Sequence, residues 1–376
     1  MPPRQIVLLG IGHTNAHVVK QWETHPIPGC SLICISKFAT ATYSGMLPGT
    51  LGRQFKDDEM RIDLARLSER AGAKLILADT IGLDRESGTL HFSDRDSVRF
   101  DALSIGVGSI PAGLQDHAGA ESLVAIKPMQ TFLQRLDQRM ATIASSDSQR
   151  RKVVIVGGGV AGVEIAFCLH QQFQQRNLSD DFSIQIFTSG RSIAEGMSAT
   201  SIGKLERLLR SRDVQVSTQQ RVTGVFQDHL VTADDRRHAA DCVIWATGAA
   251  PPAVLGCLGL ETDARGFIAT NDQLQSLSDS RIFAVGDSGT VVKSPAPKAG
   301  LYAVRQSPIL WHNLQALMTG GDMKVFRPQS DFLKLLNTGD EKAFLQYGPI
   351  ATHARWCWLL KTWIDKRFVA EFKNNS

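Results

Sequence analysis

Residues Val153 to Leu169 read VVIVGGGVAGVEIAFCL, and this stretch decides the fold. Val153, Val154, Ile155 and Val156 are all β-branched, as in a strand buried on both faces of a parallel sheet. The strand gives way to Gly157, Gly158 and Gly159, with Gly162 three residues on, and then to a helical pattern. Strand, GxGxxG and helix together form a dinucleotide-binding fingerprint. Gly157 is expected to make the tight turn, Gly159 to let the backbone approach a pyrophosphate, and Gly162 to let helix and strand pack closely. The amides that open the helix then face the phosphates, with the positive end of the macrodipole behind them.

A second turn of this type stands at the N-terminus. The strand Ile6 to Gly10 is followed by Gly12 and a helix through Ala16, Val18 and Val19. Asn15 holds the third-glycine position, which predicts a slightly wider spacing of helix and strand. The next strand, SLICIS, ends in Ser36 and Lys37 where an acid would take a ribose hydroxyl. A serine hydroxyl can make that bond, less strongly than a carboxylate.

Two short units bracket the central fingerprint: FDALSIGVGSIP (Phe100 to Pro111) and DCVIWATGAAPP (Asp241 to Pro252). Each runs acid, apolar strand, small-residue and glycine turn, proline. We read them as crossings between two nucleotide domains, one inserted in the other. The expected division is 1–115 and 248–322 for the outer domain, 116–247 for the insert, and 323–376 for a C-terminal region. Inside the insert, SIQIFTSGRS places Thr188 at the ribose-reading position, with Arg191 three residues on. Arg191 is either a solvated surface charge or an acceptor for the 2′-phosphate of NADPH, so NADH and NADPH both stay open. RIFAVGDSG ends a strand in Gly286 and Asp287, where a carboxylate can accept from a ribityl chain or close an Asx-turn.

Three hundred and seventy-six residues can bury more than one core. No segment has the length and purity of a membrane span. The N-terminus runs straight into a strand, so no signal peptide is expected. Six scattered cysteines suit a reducing cytoplasm. A net charge of +4 is too small to argue for nucleic acid, and no metal site is expected. ATYSGMLPGTLG (Ala41 to Gly52) reads as an irregular segment. PAPKAGLYAVRQSPILWHNLQALM reads as a helix interrupted near Pro308, its N-terminal dipole able to stabilise negative charge. DFLKLLNTGDEKAFLQYG reads as short strands around a turn. ATHARWCWLLKTWIDKRFVAEFK reads as a helix with Trp356, Leu360, Trp363, Ile364 and Phe368 on one face, flanked by Arg355, Lys361, Lys366 and Arg367.

These residues resemble the FAD-dependent pyridine nucleotide-disulfide oxidoreductase superfamily over nearly the whole chain. Finer details resemble its type II NADH dehydrogenase branch. GHTNAHV, YSGMLPG, KAGLYAVRQSPIL and WLLKTWIDKRF resemble a family often fused in front of selenophosphate synthetase, of which this chain would be a stand-alone member. The resemblance implies an α/β protein with two Rossmann-like domains, the NAD(P) domain inserted into the FAD domain, and a small C-terminal α+β region. It implies FAD contacts from Gly10, Gly12, His13, Asn15, Ser36, Ser44, Gly45, Gly108, Gly286, Asp287 and Lys298. It implies NADH or NADPH contacts from Gly157, Gly159, Gly162 and Arg191, and cofactor contacts from Thr247 and Gly248 at the domain crossing. The segment Ala41 to Gly52 would cover the flavin ring. Glu164 matches a glutamate near the nicotinamide, or else is a partly buried carboxylate paired with a base.

Lys298 and Gln306 join Glu164 as candidate catalytic residues. Ala303 to Gln306 resembles a quinone-site motif in which Arg305 replaces one glutamine. The CxxxxC pair of disulfide reductases is missing beside the flavin, and Cys30 and Cys34 lie roughly 13 Å apart along one strand, too far for a disulfide. Cys168 and Cys357 are read as buried thiols rather than a sulfide:quinone reductase pair. The implied chemistry is transfer from NAD(P)H through flavin to a quinone or another small acceptor; a flavoprotein partner in selenium metabolism is the alternative. The C-terminal helix would meet a membrane surface, its own domain, a second copy of the chain or selenophosphate synthetase. The chain is expected in the cytoplasm, in the first case peripherally on the inner face of the membrane.

Overall fold

The computed structural model describes residues 2–117, 119–144, 150–329 and 331–373. Its two main sheets each have five parallel strands in equivalent order. In the first, Arg4–Leu9 lies at the centre, flanked by Cys30–Ser36 and then Lys74–Leu77 on one side, and by Ala102–Ile105 and then Ile282–Ala284 on the other. In the second, Arg151–Val156 is central, with Phe182–Phe187 and Val214–Ser217 to one side and Cys242–Trp245 and Leu123–Ala125 to the other. Both central strands are closed off from water on both faces: Ile6, Val7 and Leu8 are wholly buried, and Val153, Val154 and Ile155 are at most 1% exposed. This is the burial that a run of β-branched and leucine side chains requires.

The first sheet draws strands from both sides of the second in sequence, so one Rossmann-like domain is inserted in the other. The two crossings pair with each other, Ile110–Pro111 antiparallel to Ala249–Ala250. Beyond them, Lys334–Asn337, Ala343–Tyr347 and Ile350–Ala354 form an antiparallel sheet followed by the helix Arg355–Lys373. This C-terminal unit touches both domains. The Asn337 N–H donates to Glu164 of the insert at 2.7 Å, and Lys361 Nζ donates to the Gly45 carbonyl of the outer domain at 2.8 Å.

Three expectations are corrected here. The helix Gly300–Thr319 runs unbroken through Pro308. Thr14 Oγ1 and Ser307 Oγ both donate to the Ala303 carbonyl, at 2.7 and 3.2 Å, and packing along the helix His13–Thr24 supports the turn that proline weakens. The segment after Ala41 is not irregular throughout: Leu47–Leu51 is a short, fully buried helix packed on Val160–Gln175. The C-terminal helix buries Cys357, Lys361, Asp365, Phe368, Val369 and Phe372, while Trp356, Leu359 and Trp363 are more than half exposed. The expected face is therefore split, Phe368 going inward and the tryptophans outward. Periodicity alone missed this because two charged residues, paired with each other, occupy the buried face.

Candidate functional site

The two glycine turns are built alike. Gly10 N–H donates to the Ile35 carbonyl and Gly157 N–H to that of Phe187, both at 2.8 Å. Gly106 N–H donates to Leu9 and Ala246 N–H to Val156, again both at 2.8 Å. In each turn the first glycine has positive φ, +79° at Gly10 and +122° at Gly157, and is pressed against the neighbouring crossing. A Cβ on Gly10 would meet the Gly106–Val107 backbone, and one on Gly157 would collide with the Ala246 carbonyl. These are the crevices outside the carboxyl ends of parallel strands, where such sheets bind nucleotides.

The turns differ at the third glycine. Gly162 lies so close to the Gly157 carbonyl that no side chain fits. The equivalent Asn15 is fully buried, and its Nδ2 donates to the Gly10 carbonyl at 2.7 Å while its Oδ1 accepts from Ser104 Oγ at 2.7 Å. Asn15 thus ties helix, turn and neighbouring strand together instead of merely spacing them. A Cβ on Gly12 would stand 3.1 Å from the Gly106 carbonyl, whereas one on Gly159 would stand in open space, a cradle that a ligand can enter.

Of the remaining candidates in the outer domain, His13, Gly108, Gly286, Asp287 and Gln306 lie together near the first turn. Gly286 has φ +59°, and its N–H donates to Gln306 Oε1 at 2.6 Å, so Gln306 holds the turn that presents Asp287. Ser109 Oγ donates to Asp287 at 2.6 Å, and Gly108, at φ +79°, donates its N–H to Ser288 Oγ. His13 packs edge-on to Tyr43 and near Phe368, both at 5.4 Å. Its buried Nε2 has no partner among the described residues, and burial pulls its pKa down to about 4, with Asp287 opposing. Ser44 lies beside Gly300 at the start of the long helix. Ser36 Oγ closes a local turn with Phe38. Lys298 Nζ donates to the Gly289 carbonyl and to Thr290 Oγ1, and burial lowers its pKa to about 8. In the insert, Thr247 Oγ1 donates to the Ala112 carbonyl, and the Gly248 carbonyl accepts from Ala112 N–H, both at 2.7 Å. Arg191 is exposed.

A buried charged group joins these pieces. Lys361 Nζ donates to Asp365 Oδ2 at 2.9 Å, and Tyr43 OH donates to Asp365 Oδ1 at 3.1 Å. Burial works against the Lys361 charge, but Asp365 and Glu164 outweigh it and raise its pKa. Lys361 is thus not one of the surface cations expected on the helix. Glu164 lies deep but keeps some accessible surface, and burial, offset in part by Lys361 and the Asn337 N–H, lifts its carboxyl to about 7. Sequence reading missed Tyr43, Ser109, Lys127 and Asp365: Tyr43 meets Asp365 across 322 residues, and Ser109 and Lys127 meet Asp287 across 178 and 160.

Phe368 stacks on Tyr43 at 4.4 Å and also walls a groove of about 620 Å³ between the helices His13–Thr24, Gly300–Thr319 and Arg355–Lys373. His17, Val304, Pro308, Trp311 and Trp363 line it. All six cysteines are free thiols, and Cys168 and Cys357 are wholly buried. Burial raises the pKa of both, that of Cys168 strongly.

Residues 4–313 match the pyridine nucleotide-disulphide oxidoreductase family, and the chain belongs to it. Its likeness runs to the NADH dehydrogenase- and quinone oxidoreductase-like branch. It is 24% identical to an NADH dehydrogenase-like protein of Bacillus subtilis (strain 168), YutJ, over 90% of this chain and 91% of that one. It is 23% identical to the demethylphylloquinone reductase NdbB of Synechocystis, over 89% and 84%. In fold it is similar to the sulfide:quinone oxidoreductase of Aquifex aeolicus, at TM-score 0.82 and 18% identity over 99% and 92% of the chains. The chain is an FAD-dependent oxidoreductase with NAD(P)H as co-substrate. The open cradle at Gly159, the positive-φ turns at Gly10 and Gly157, and the orphaned His13 Nε2 fit two such nucleotides.

Proposed function

We propose that this enzyme passes reducing equivalents from NAD(P)H, through FAD, to a quinone-like acceptor without a redox-active disulfide. Bound FAD supplies the chemistry that joins a two-electron donor to such an acceptor. The chain supplies placement. The amides at the start of Val160–Gln175 hold the pyrophosphate of the reductant, and Asp287 with the Gly286 turn holds the flavin side. Glu164 can hold a proton on Oε2, since Oε1 already accepts from Asn337. A carboxyl near 7 is suited to proton exchange at neutral pH.

The observation that carries the acceptor reading is the apolar groove whose wall, Phe368, also stacks on Tyr43 beside His13. A flat apolar ring suits Trp311, Trp363, Val304 and Pro308 better than a charged thiol substrate does. The names of the relatives NADH dehydrogenase-like protein and demethylphylloquinone reductase point the same way. Among the described residues, no helix is long and apolar enough to cross a membrane. Exposed Trp356, Leu359 and Trp363 would rest on its surface beside Arg367, which stacks on Trp363 at 5.3 Å. The selenium-metabolism association rests on four motifs alone, and this reading does without it.

The test is NADH oxidation with a short-chain quinone by wild type and a Cys168→Ala/Cys357→Ala variant. Both should turn over within a few-fold of each other. A folded, flavin-loaded variant that has lost turnover would replace this reading with a thiol mechanism.

A further inference from the structure

The strand Phe182–Phe187 leads into Thr188, where the adenosine ribose would ordinarily meet an acid. Thr188 is poorly placed to read it. It is buried, its hydroxyl accepts from Gly190 N–H at 3.2 Å, and it fills the space beside Gly158, 2.6 Å from where a Cβ would stand. A carboxylate arrives from further along the chain instead. Residues 190–197 fold back onto the glycine turn, the Ala194 N–H donating to the Gly158 carbonyl at 2.7 Å. Ile193 and Ala194 are wholly buried and anchor the loop. Ala194 has φ 47°, a left-handed conformation that alanine rarely adopts and that only over-determined surroundings maintain. From this anchor the exposed Glu195 reaches back: its Oε1 accepts from Arg191 N–H at 2.9 Å, and its carboxylate occupies the space that a side chain on Gly190 would need.

We infer that Glu195 reads the adenosine ribose of the reductant and makes the enzyme selective for NADH over NADPH. The inference rests on NAD(P)H being the reductant. A fixed carboxylate beside the glycine turn accepts charge-assisted hydrogen bonds from vicinal ribose hydroxyls. A 2′-phosphate would bring like charge to the same place. Arg191 then serves through its backbone amide, which aims the carboxylate, and not as a phosphate grip. The glycine at 190 follows from the same packing.

The test is calorimetric titration of the FAD-loaded protein with NAD⁺ and NADP⁺, for wild type, Glu195→Gln and Glu195→Ala. Wild type should bind NAD⁺ at least about tenfold more tightly than NADP⁺, the worth of one charge-assisted hydrogen bond. Both variants should lose NAD⁺ affinity, gain NADP⁺ affinity and bring the ratio toward one, with melting and flavin spectrum unchanged because Glu195 is exposed. Equal binding of the two nucleotides by wild type, or an unchanged ratio in the variants, would overturn the assignment of Glu195 alone. A wild-type protein that binds neither nucleotide would overturn the NAD(P)H reading with it.

Discussion

Lys127 Nζ lies 3.3 Å from Asp287 Oδ2, and Ser109 Oγ bridges them, 2.6 Å from each. Lys127 enters the insert while Asp287 lies in the Gly286–Ser288 turn of the outer domain, so this contact joins the two domains. Both side chains are mostly buried, at 27% and 19% exposure, so little of the pairing is screened by water.

Asp287→Ala should therefore weaken FAD retention by about 1.5–3 kcal/mol, the worth of hydrogen bonds to a charged group. Lys127→Met should act differently. It leaves a buried carboxylate without its cation and lowers the melting temperature of the flavin-free protein most, and added FAD should recover part of the loss. Calorimetric melting with and without FAD checks both; a Lys127→Met loss that FAD does not reduce would remove Asp287 from the flavin site.

The glycines of the insert separate fold from function. A Cβ at Gly159 meets none of the described residues within 4 Å, so Gly159→Val should stay within about 0.5 kcal/mol of wild type while losing nucleotide binding. A side chain at Gly157 collides with the Ala246 carbonyl at φ +122°, so Gly157→Val should lose about 2–4 kcal/mol or fail to fold. Urea titration and NAD⁺ binding of the two variants give the comparison. A stable Gly159→Val protein that binds NAD⁺ normally would contradict the cradle.

What could be read from sequence follows the range of the interactions. The glycine turns were visible because strand, turn and helix lie within about twenty residues and each has its own periodicity. Asn15 was visible as a departure, but not as a clamp, because Ser104 is 89 residues away. Lys127 and Tyr43 left no local signal of these contacts, Asp287 and Asp365 lying 160 and 322 residues along the chain from them. Lys361 and Asp365 misled the reading of the C-terminal helix. A charged pair four apart looks like a solvated face until a partner domain buries it.

The pH dependence of stability carries the signature of Glu164. Its carboxyl titrates at about 7 in the folded protein and near ~4.3 in the unfolded chain, so folding favours the neutral form. The stability this contributes is complete below the unfolded value and is lost as pH rises through about 7. Glu164→Gln stays neutral and keeps an oxygen for the Asn337 N–H. It should gain on wild type by about 1–3 kcal/mol between pH 5 and pH 8. Parallel urea midpoints across that range would show that Glu164 is ionised throughout.

The C-terminal helix predicts opposite outcomes for two aromatic residues. Phe368 is buried and stacked on Tyr43, so Phe368→Ala should cost about 3–5 kcal/mol. Trp363 is 58% exposed, and Trp363→Ala should change stability by no more than about 0.5 kcal/mol while weakening flotation with anionic liposomes. Flotation unchanged by replacing Trp356, Leu359 and Trp363 together with serine would exclude this face as the membrane contact.

The central claim is that electrons pass from NAD(P)H to bound flavin and on to a quinone-like acceptor. Its most direct test is the visible spectrum of the purified, FAD-loaded protein under anaerobic conditions. Adding NADH should bleach the yellow flavin band stoichiometrically, and a short-chain quinone should then restore it. A flavin that neither NADH nor NADPH bleaches, or one that bleaches and is not reoxidised by the quinone, would contradict the account.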